Sequence, residues 1–188
     1  SDLLPRLRPS AERGPAWSTT WVADQLDLCL VADRPGSLRY LSPLDVAALP
    51  IGLQAVIALA HDNLRACAPQ GRWVPAGEGL RGLRSDVGDG HDGSRILVAE
   101  TWFADPRGLF VMVPSRDLGF VIPVSSAQSF VDALDLYEVA QDLFHAAAYP
   151  IAQGIFWLRE SRLVPLSVVP SDGRLAFANL PEELAQSG

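Results

Sequence analysis

The sequence predicts an α+β fold in which antiparallel β-hairpins and a meander pack against two main amphipathic helices. Short β-rich runs occur in pairs around turn residues, and two long segments repeat apolar residues at intervals of three and four. These elements do not alternate as regular βαβ units. With 188 residues, 48% of them hydrophobic, the chain is long enough to bury a core. We expect an extended lead-in over residues 1–20 and a single domain over residues 21–188.

The first half of the chain predicts a hairpin followed by helices. The run "LDLCLVADRPGSLRYLS" has two apolar stretches around Pro35 and Gly36, which is typical of a β-hairpin. Ser42 followed by Pro43 is a typical helix start. The next segment, "PIGLQAVIALAHDNLRACA", predicts an amphipathic helix of about 17 residues.

The second half contains one ambiguous segment and three clearer ones. "SRILVAETWF" is either a helix capped by Ser94 or a buried strand. "GLFVMVPSRDLGFVIPV" predicts a hairpin whose connection carries Ser115, Arg116 and Asp117. The runs "GIFWLRES", "RLVPLSVVP" and "GRLAFANL" predict a terminal meander. Between the hairpin and the meander we expect a long helix with an apolar face of Phe130, Ala133, Leu134, Tyr137, Ala140, Phe144 and Ala147.

Composition narrows the functional classes. The net charge is −7 and all 15 basic residues are arginine, which argues against nucleic acid because a phosphate-tracking surface needs a basic patch. No apolar run approaches the roughly 20 residues of a membrane helix. We expect no membrane association, a cytoplasmic location, and two buried free thiols at Cys29 and Cys67.

The acidic loop, defined as residues 86–95 ("DVGDGHDGSR"), raises the question of a metal site. Asp89, His91 and Asp92 could hold a transition metal. A calcium loop starting at Asp89 fails, because its third and fifth places are His91 and Gly93 rather than carboxylates. A loop of this composition is more often a solvated turn than a metal site.

No catalytic constellation is complete in the sequence. There is no nucleophile elbow, phosphate-binding loop or dinucleotide fingerprint, so we expect no cofactor. A hydrolase or metal-dependent enzyme centred on the acidic loop stays open, because triads assemble from residues far apart in sequence. Its candidate nucleophiles are Ser94, Ser115 and the two cysteines, with His61, His91 and His145 as bases.

Three polar side chains occupy positions that helix and strand patterning does not require. Asn63 lies on the apolar side of its helix and either ties down a neighbouring loop backbone or lines a pocket. Arg95 and Arg116 either brace carboxylates of their own chain or hold an anionic ligand. An internal brace is favoured, with Arg95 to Asp117 or Arg116 to Asp92 as the expected pairs.

Several short motifs occur in the order of a known family. "AHDNLRA", "DGHDGSRIL", "VMVPSRDLGFV" and "YPIAQGIFWLRESRLVPL" together resemble the bacterial YtpQ family of uncharacterised proteins, over roughly residues 25–170. The positions that match are Asn63, Ser94, Arg95, Pro114, Arg116 and Asp117. Gly93 replaces an expected alanine, which predicts a more flexible loop. The resemblance implies a group of proteins and no reaction.

These observations favour a non-catalytic protein that binds a partner protein or a small anionic ligand. A subunit or immunity-type partner of a larger assembly is a further alternative. The binding hypothesis requires one polar cluster to form in space, composed of Asn63, Asp92, Ser94, Arg95, Arg116 and Asp117.

Overall fold

The computed structural model describes residues 2–12, 14–22, 24–34, 36–67 and 72–185. It confirms the α+β class, with antiparallel sheets and several helices. The chain divides into two compact units, Ser1–Pro69 and Gln70–Gly188, where we had expected a lead-in and a single domain. Among the described residues, none of the helices has the length and apolar character needed to span a bilayer.

The first unit is a four-stranded antiparallel sheet with two helices. Strand β3 is central: β1 pairs along one edge, while β2 and β4 pair with successive halves of the other edge. The expected lead-in over residues 1–20 therefore contains β1 and the first three residues of β2. The elements are β1 (Asp2–Pro9), a 3₁₀ helix (Ser10–Glu12), β2 (Ser18–Val22), β3 (Leu26–Arg34), β4 (Ser37–Tyr40), α1 (Pro43–Ala47) and α2 (Leu53–Ala66).

The predicted start of α1 is confirmed by a capping box. The Ser42 hydroxyl accepts from the backbone N–H of Asp45, and the Asp45 carboxylate accepts from the backbone N–H of Ser42. These bonds from the Ser42 backbone and hydroxyl, followed by that from Arg39, lower the pKa of Asp45 to about 2. Helix α2 starts three residues later than predicted, at Leu53, and has 14 residues.

The core of the first unit lies between the sheet and its helices. Apolar side chains repeat along α2 so that one face is buried and packs towards β1. The central strand supplies Leu30 to the same cluster. The buried members of this cluster are Leu30, Leu41, Val46, Val56 and Ala60.

The second unit is a seven-stranded antiparallel sheet in the order β11-β10-β9-β7-β8-β6-β5. Both the predicted hairpin, β7–β8, and the predicted terminal meander, β9–β10–β11, are confirmed. The elements are β5 (Trp73–Gly77), β6 (Leu80–Ser85), a 3₁₀ helix (Gly93–Thr101), β7 (Leu109–Ser115), β8 (Leu118–Pro123), α3 (Gln128–Ala146), β9 (Ile155–Arg159), β10 (Arg162–Ser171), β11 (Arg174–Asn179) and α4 (Glu182–Ala185).

Helix α3 packs on this sheet through a face that overlaps the predicted one at Ala133 and Ala140, with the predicted Phe130 and Tyr137 packed against the same core. Its buried residues are Ser129, Ala133, Leu136 and Ala140, whereas Leu134 is only half-buried. Three of these four side chains are small, which lets the helix backbone approach the sheet closely. The aromatic residue Phe130 packs at the side of this contact against other core residues.

The ambiguous segment "SRILVAETWF" falls largely within the 3₁₀ helix Gly93–Thr101, which is buried over its first seven residues. Ser94 is not its N-cap: Asp92 occupies that position, and Ser94 lies buried inside the helix. At the other end, Glu100 accepts hydrogen bonds of 2.7 and 2.8 Å from the backbone N–H groups of Glu160 and Ser161. This helix therefore connects the acidic loop to the β9–β10 turn.

Candidate functional site

Five of the six residues of the predicted polar cluster come together in the second unit. The acidic loop lies against the tip of the β7–β8 hairpin, and the backbone N–H of Gly93 donates to the carbonyl oxygen of Arg116 at 2.9 Å. Asp92, Ser94 and Arg95 are buried on the loop side of this contact. The second part of the hypothesis, that Asn63 joins them, has no support, because Asn63 belongs to the first unit.

Asn63 serves a strand of its own unit. Its side-chain amide donates a 2.9 Å hydrogen bond to the backbone carbonyl of Leu3 in β1. Of the two alternatives for this residue, the structure agrees with a tie to neighbouring backbone, although that backbone is a strand rather than a loop. This bond holds α2 on the edge of the sheet.

Arg95 is completely buried and forms the centre of the acidic loop. Its Nη2 and Nη1 lie 2.6 and 2.8 Å from the two carboxylate oxygens of Asp89, which is a bidentate pair. Nη1 also lies 3.3 Å from Oδ1 of Asp92. The expected pairs, Arg95 with Asp117 and Arg116 with Asp92, are therefore wrong. An internal brace exists, but both of its carboxylates come from the loop itself.

Asp92 fixes the backbone that leads into the loop. Its carboxylate accepts the backbone N–H groups of Val87 and Gly88 at 3.0 and 2.8 Å, and the hydroxyl of Ser85. Since Asp92 is buried, these bonds replace water that the carboxylate would otherwise hold. Ser85 was not singled out from the sequence, because it lies in a stretch without apolar periodicity.

The pKa of Asp89 reflects competition between burial and hydrogen bonding. Partial burial alone would raise it, but the hydrogen bonds from Arg95 and from the backbone N–H of His91 outweigh burial, so the pKa lies below its usual value. Asp89 is thus an ionised partner of Arg95. A raised pKa, as expected of a general acid at neutral pH, does not occur at this carboxylate.

The weak metal alternative, Asp89 with His91 and Asp92, meets a geometric obstacle. Both carboxylates already bind Arg95, and the His91 ring is buried beside them in a loop whose centre is a cation. A metal ion would have to displace that guanidinium. Within residues 72–185 and the other described ranges, no group of three His, Cys, Asp or Glu side chains is placed to hold a metal ion.

Three of the remaining catalytic candidates, Cys29, Cys67 and His61, belong to the first unit. Cys29 and Cys67 are free, and burial raises the pKa of the Cys29 thiol to about 11, so it is not a thiolate at neutral pH. His61 stacks on Trp21, and burial, followed by the charge of Arg65, lowers the pKa of its ring. Cys67 is half-buried rather than buried as predicted.

Gly93 has a packing role that the sequence did not indicate. A Cβ at this position would lie 2.3 Å from the carbonyl oxygen of Ser115 and 3.1 Å from that of Arg116. Alanine therefore does not fit unless the hairpin moves. Gly93 is therefore a point of close approach between the acidic loop and the hairpin tip.

The hairpin tip presents an ordered group of exposed side chains. The Arg116 guanidinium carbon lies 3.8 Å from the centre of the Tyr149 ring, and Arg116 also donates to both carboxylate oxygens of Asp117 at 2.8 and 3.0 Å. The Asp117 carboxylate raises the pKa of Arg116. Arg116, Asp117 and Tyr149 form what we call the hairpin-tip patch, in which Tyr149 is 55% exposed.

The backbone under this patch is held from two sides. On one side Gly93 donates to Arg116, and on the other the N–H of Arg116 donates to the carbonyl of Tyr149 at 3.0 Å. Ile151 also donates to Pro114 at 3.1 Å. Tyr149 was missed in the sequence, where its one signal is an aromatic residue directly before a proline after a long helix.

Comparison of the chain with protein-family models, with curated proteins and with solved structures finds no match. The interpretation of the site therefore depends on its geometry.

Proposed function

We propose that this chain is a non-catalytic binding protein that recognises a partner protein through the hairpin-tip patch. One observation carries the proposal: Arg116 is stacked on Tyr149 and paired with Asp117 while all three side chains keep exposed surface. Tyrosine and arginine are the residue types most enriched among those that dominate binding energy at protein interfaces.

The order of the patch before binding supports this role. Association costs free energy for every side chain that must be immobilised, about 0.5–1.5 kcal/mol for each flexible one. The ring of Tyr149 and the carboxylate of Asp117 already hold Arg116 in place. The backbone hydrogen bonds beneath the patch limit its movement further. A partner would therefore meet a surface that needs little additional ordering.

The acidic loop supports the proposal by acting as a brace for the patch. Its carboxylates are used by Arg95 and by loop backbone, which makes the enzyme alternative less well supported than binding. A binding surface of this kind also suits a subunit of a larger assembly. We also propose membership of the YtpQ family and a cytoplasmic location, the first supported by the ordered motifs and the second by two free cysteines.

The test is partner capture with matched variants. The tagged full-length chain would be incubated with an extract of the organism that encodes it, and retained proteins would be identified by mass spectrometry. We expect Tyr149→Ala to weaken the binding of a captured partner by about tenfold or more. Arg174→Ala, an exposed arginine on β11, is the control and should leave binding unchanged.

The proposal is wrong if the wild-type chain retains no protein above background, or if Tyr149→Ala retains the same partner with unchanged affinity. Circular dichroism of each variant establishes that a loss of binding does not come from unfolding.

A further inference from the structure

A second candidate site lies in the first unit, around a buried arginine of β1. Arg6 and Arg8 share one face of the sheet with their β3 neighbours Cys29 and Asp27, because paired residues in antiparallel strands point to the same side. The Arg8 side chain is only 10% exposed. A guanidinium this deep in a small unit needs hydrogen-bond acceptors.

Arg8 has few of them. Its Nη2 donates to the Ser18 hydroxyl at 3.0 Å and lies 3.9 Å from Asp27, whose other oxygen accepts from the Ser10 hydroxyl at 2.9 Å. Its Nε is buried and has no acceptor among the described residues. A guanidinium offers five N–H donors, so Arg8 keeps some donor capacity beyond these contacts.

This arginine borders a cleft of about 410 Å³ within the first unit. The volume is in the range of small-molecule sites, which are roughly 300–1,000 Å³. Apart from Arg8 the walls are mainly apolar, and the N–H of Trp17 donates to the carbonyl of Leu41, which ties the loop wall to the end of β4. The cleft is lined by Arg8, Glu12, Gly14, Pro15, Ala16, Tyr40 and Ser42.

The charges around the cleft limit the kind of anion it can take. Arg8 supplies a fork that matches a carboxylate, whereas Glu12 on the wall repels a second negative charge. The Ser42 hydroxyl is already engaged with Asp45, so it adds little to recognition. The Tyr40 ring on the wall of the cleft offers a flat surface that suits an apolar body.

We propose that this cleft binds a monocarboxylate with an aromatic or apolar body, with the carboxylate on Arg8 and the body against Tyr40. This site is not the hairpin-tip patch. It would give the chain a carboxylate ligand in addition to the partner protein proposed above. Two sources share this chemistry: a free small acid and the C-terminal carboxylate of a peptide.

Isothermal titration of the full chain with phenylacetate tests the proposal. Phenylacetamide, the neutral analogue, and phenyl phosphate, a dianion, should each bind at least about tenfold more weakly. Arg8→Lys retains the charge without the bidentate geometry, and Tyr40→Ala removes the apolar wall while leaving Arg8 in place; each should weaken phenylacetate binding about tenfold. Arg34→Met, at an exposed arginine of the same unit, should change nothing.

A phenylalanine-terminated peptide, compared with its amidated form, distinguishes the two sources. If the free-acid peptide binds with an affinity similar to that of phenylacetate and the amidated peptide does not bind, the ligand is the C-terminus of a peptide. If phenylacetate binds and neither peptide does, the ligand is a small acid. The proposal is overturned by the absence of saturable phenylacetate binding up to about 10 mM, by equal binding of phenylacetamide, or by unchanged affinity in folded Tyr40→Ala.

Discussion

Replacing Arg95 with methionine tests whether the buried brace holds the acidic loop. Methionine has a similar length but no charge, so the substitution removes both hydrogen bonds to Asp89 and the contact with Asp92 while largely keeping the volume filled. The Asp92 carboxylate then stays buried with no cation beside it. Removing one partner of a buried ion pair costs about 3–5 kcal/mol.

The structure places the expected loss near the lower end of that range. Asp89 is about one-third exposed, at 36% of its side chain, so water can replace part of what Arg95 supplied. Asp92, at 2%, has no such access, but it keeps its bonds from Ser85 and from two backbone N–H groups. We therefore expect Arg95→Met to lower the free energy of unfolding by about 3 kcal/mol.

Urea unfolding followed by tryptophan fluorescence and far-UV circular dichroism measures this loss. Arg95→Lys should fall between the wild type and Arg95→Met, since lysine keeps the charge but not the bidentate geometry. Arg174→Met, an exposed arginine in the same unit, should stay within about 0.5 kcal/mol of the wild type. A loss below about 1 kcal/mol for Arg95→Met would refute the reasoning, because the ion pairs would then add no net stability.

Two other predictions concern the same loop. Gly93→Ala should destabilise the protein by about 1–3 kcal/mol or more, because the new Cβ would meet the Ser115 carbonyl. The control, Gly52→Ala, adds a Cβ that meets nothing within 4 Å and should cost no more than about 1 kcal/mol. Equal urea midpoints for the two variants would contradict the packing argument. Because the pKa of Asp89 is lowered, its bond to Arg95 stabilises the protein above the unfolded-state pKa of about 4, and this stabilisation is lost as pH falls through the lower folded-state pKa. The difference in unfolding free energy between wild type and Asp89→Asn should therefore narrow from pH 6 to pH 3. A constant difference would contradict this prediction.

The hairpins were predictable because their signals are local. Turn residues between two β-rich runs predict β3–β4 and β7–β8, and the residues involved lie next to one another in the chain. Both strand pairs form, although Pro35 of the first turn lies outside the described residues. The start of α1 was equally predictable, because a capping box needs only residues three apart.

The buried face of α3 was predictable in part. Apolar periodicity identified Ala133 and Ala140, but the structure also buries Ser129 and Leu136, which the predicted face left out, and keeps Phe130 at the side of the contact. The distance between helix and sheet decides which residues fit, and that distance is a property of both elements together.

The partner of Arg95 depended on an ambiguity that the sequence leaves open. Asp92 and Arg95 are three residues apart, which would place them on opposite faces of a strand but on one face of a 3₁₀ helix. Once the helix forms, Asp92 becomes a neighbour and the more distant Asp117 does not. The choice between strand and helix was made by packing against the hairpin.

By itself, the sequence determined the fold class and the β3–β4 and β7–β8 hairpins, because their signals are local. It also favoured an internal carboxylate for Arg95, because acidic residues outnumber basic ones in this chain. Only the tertiary structure decided which carboxylates serve Arg95, where Asn63 acts, and that Tyr149 lies under Arg116. These contacts join segments that are far apart in sequence or of ambiguous local structure, and no local pattern encodes the packing that brings them together.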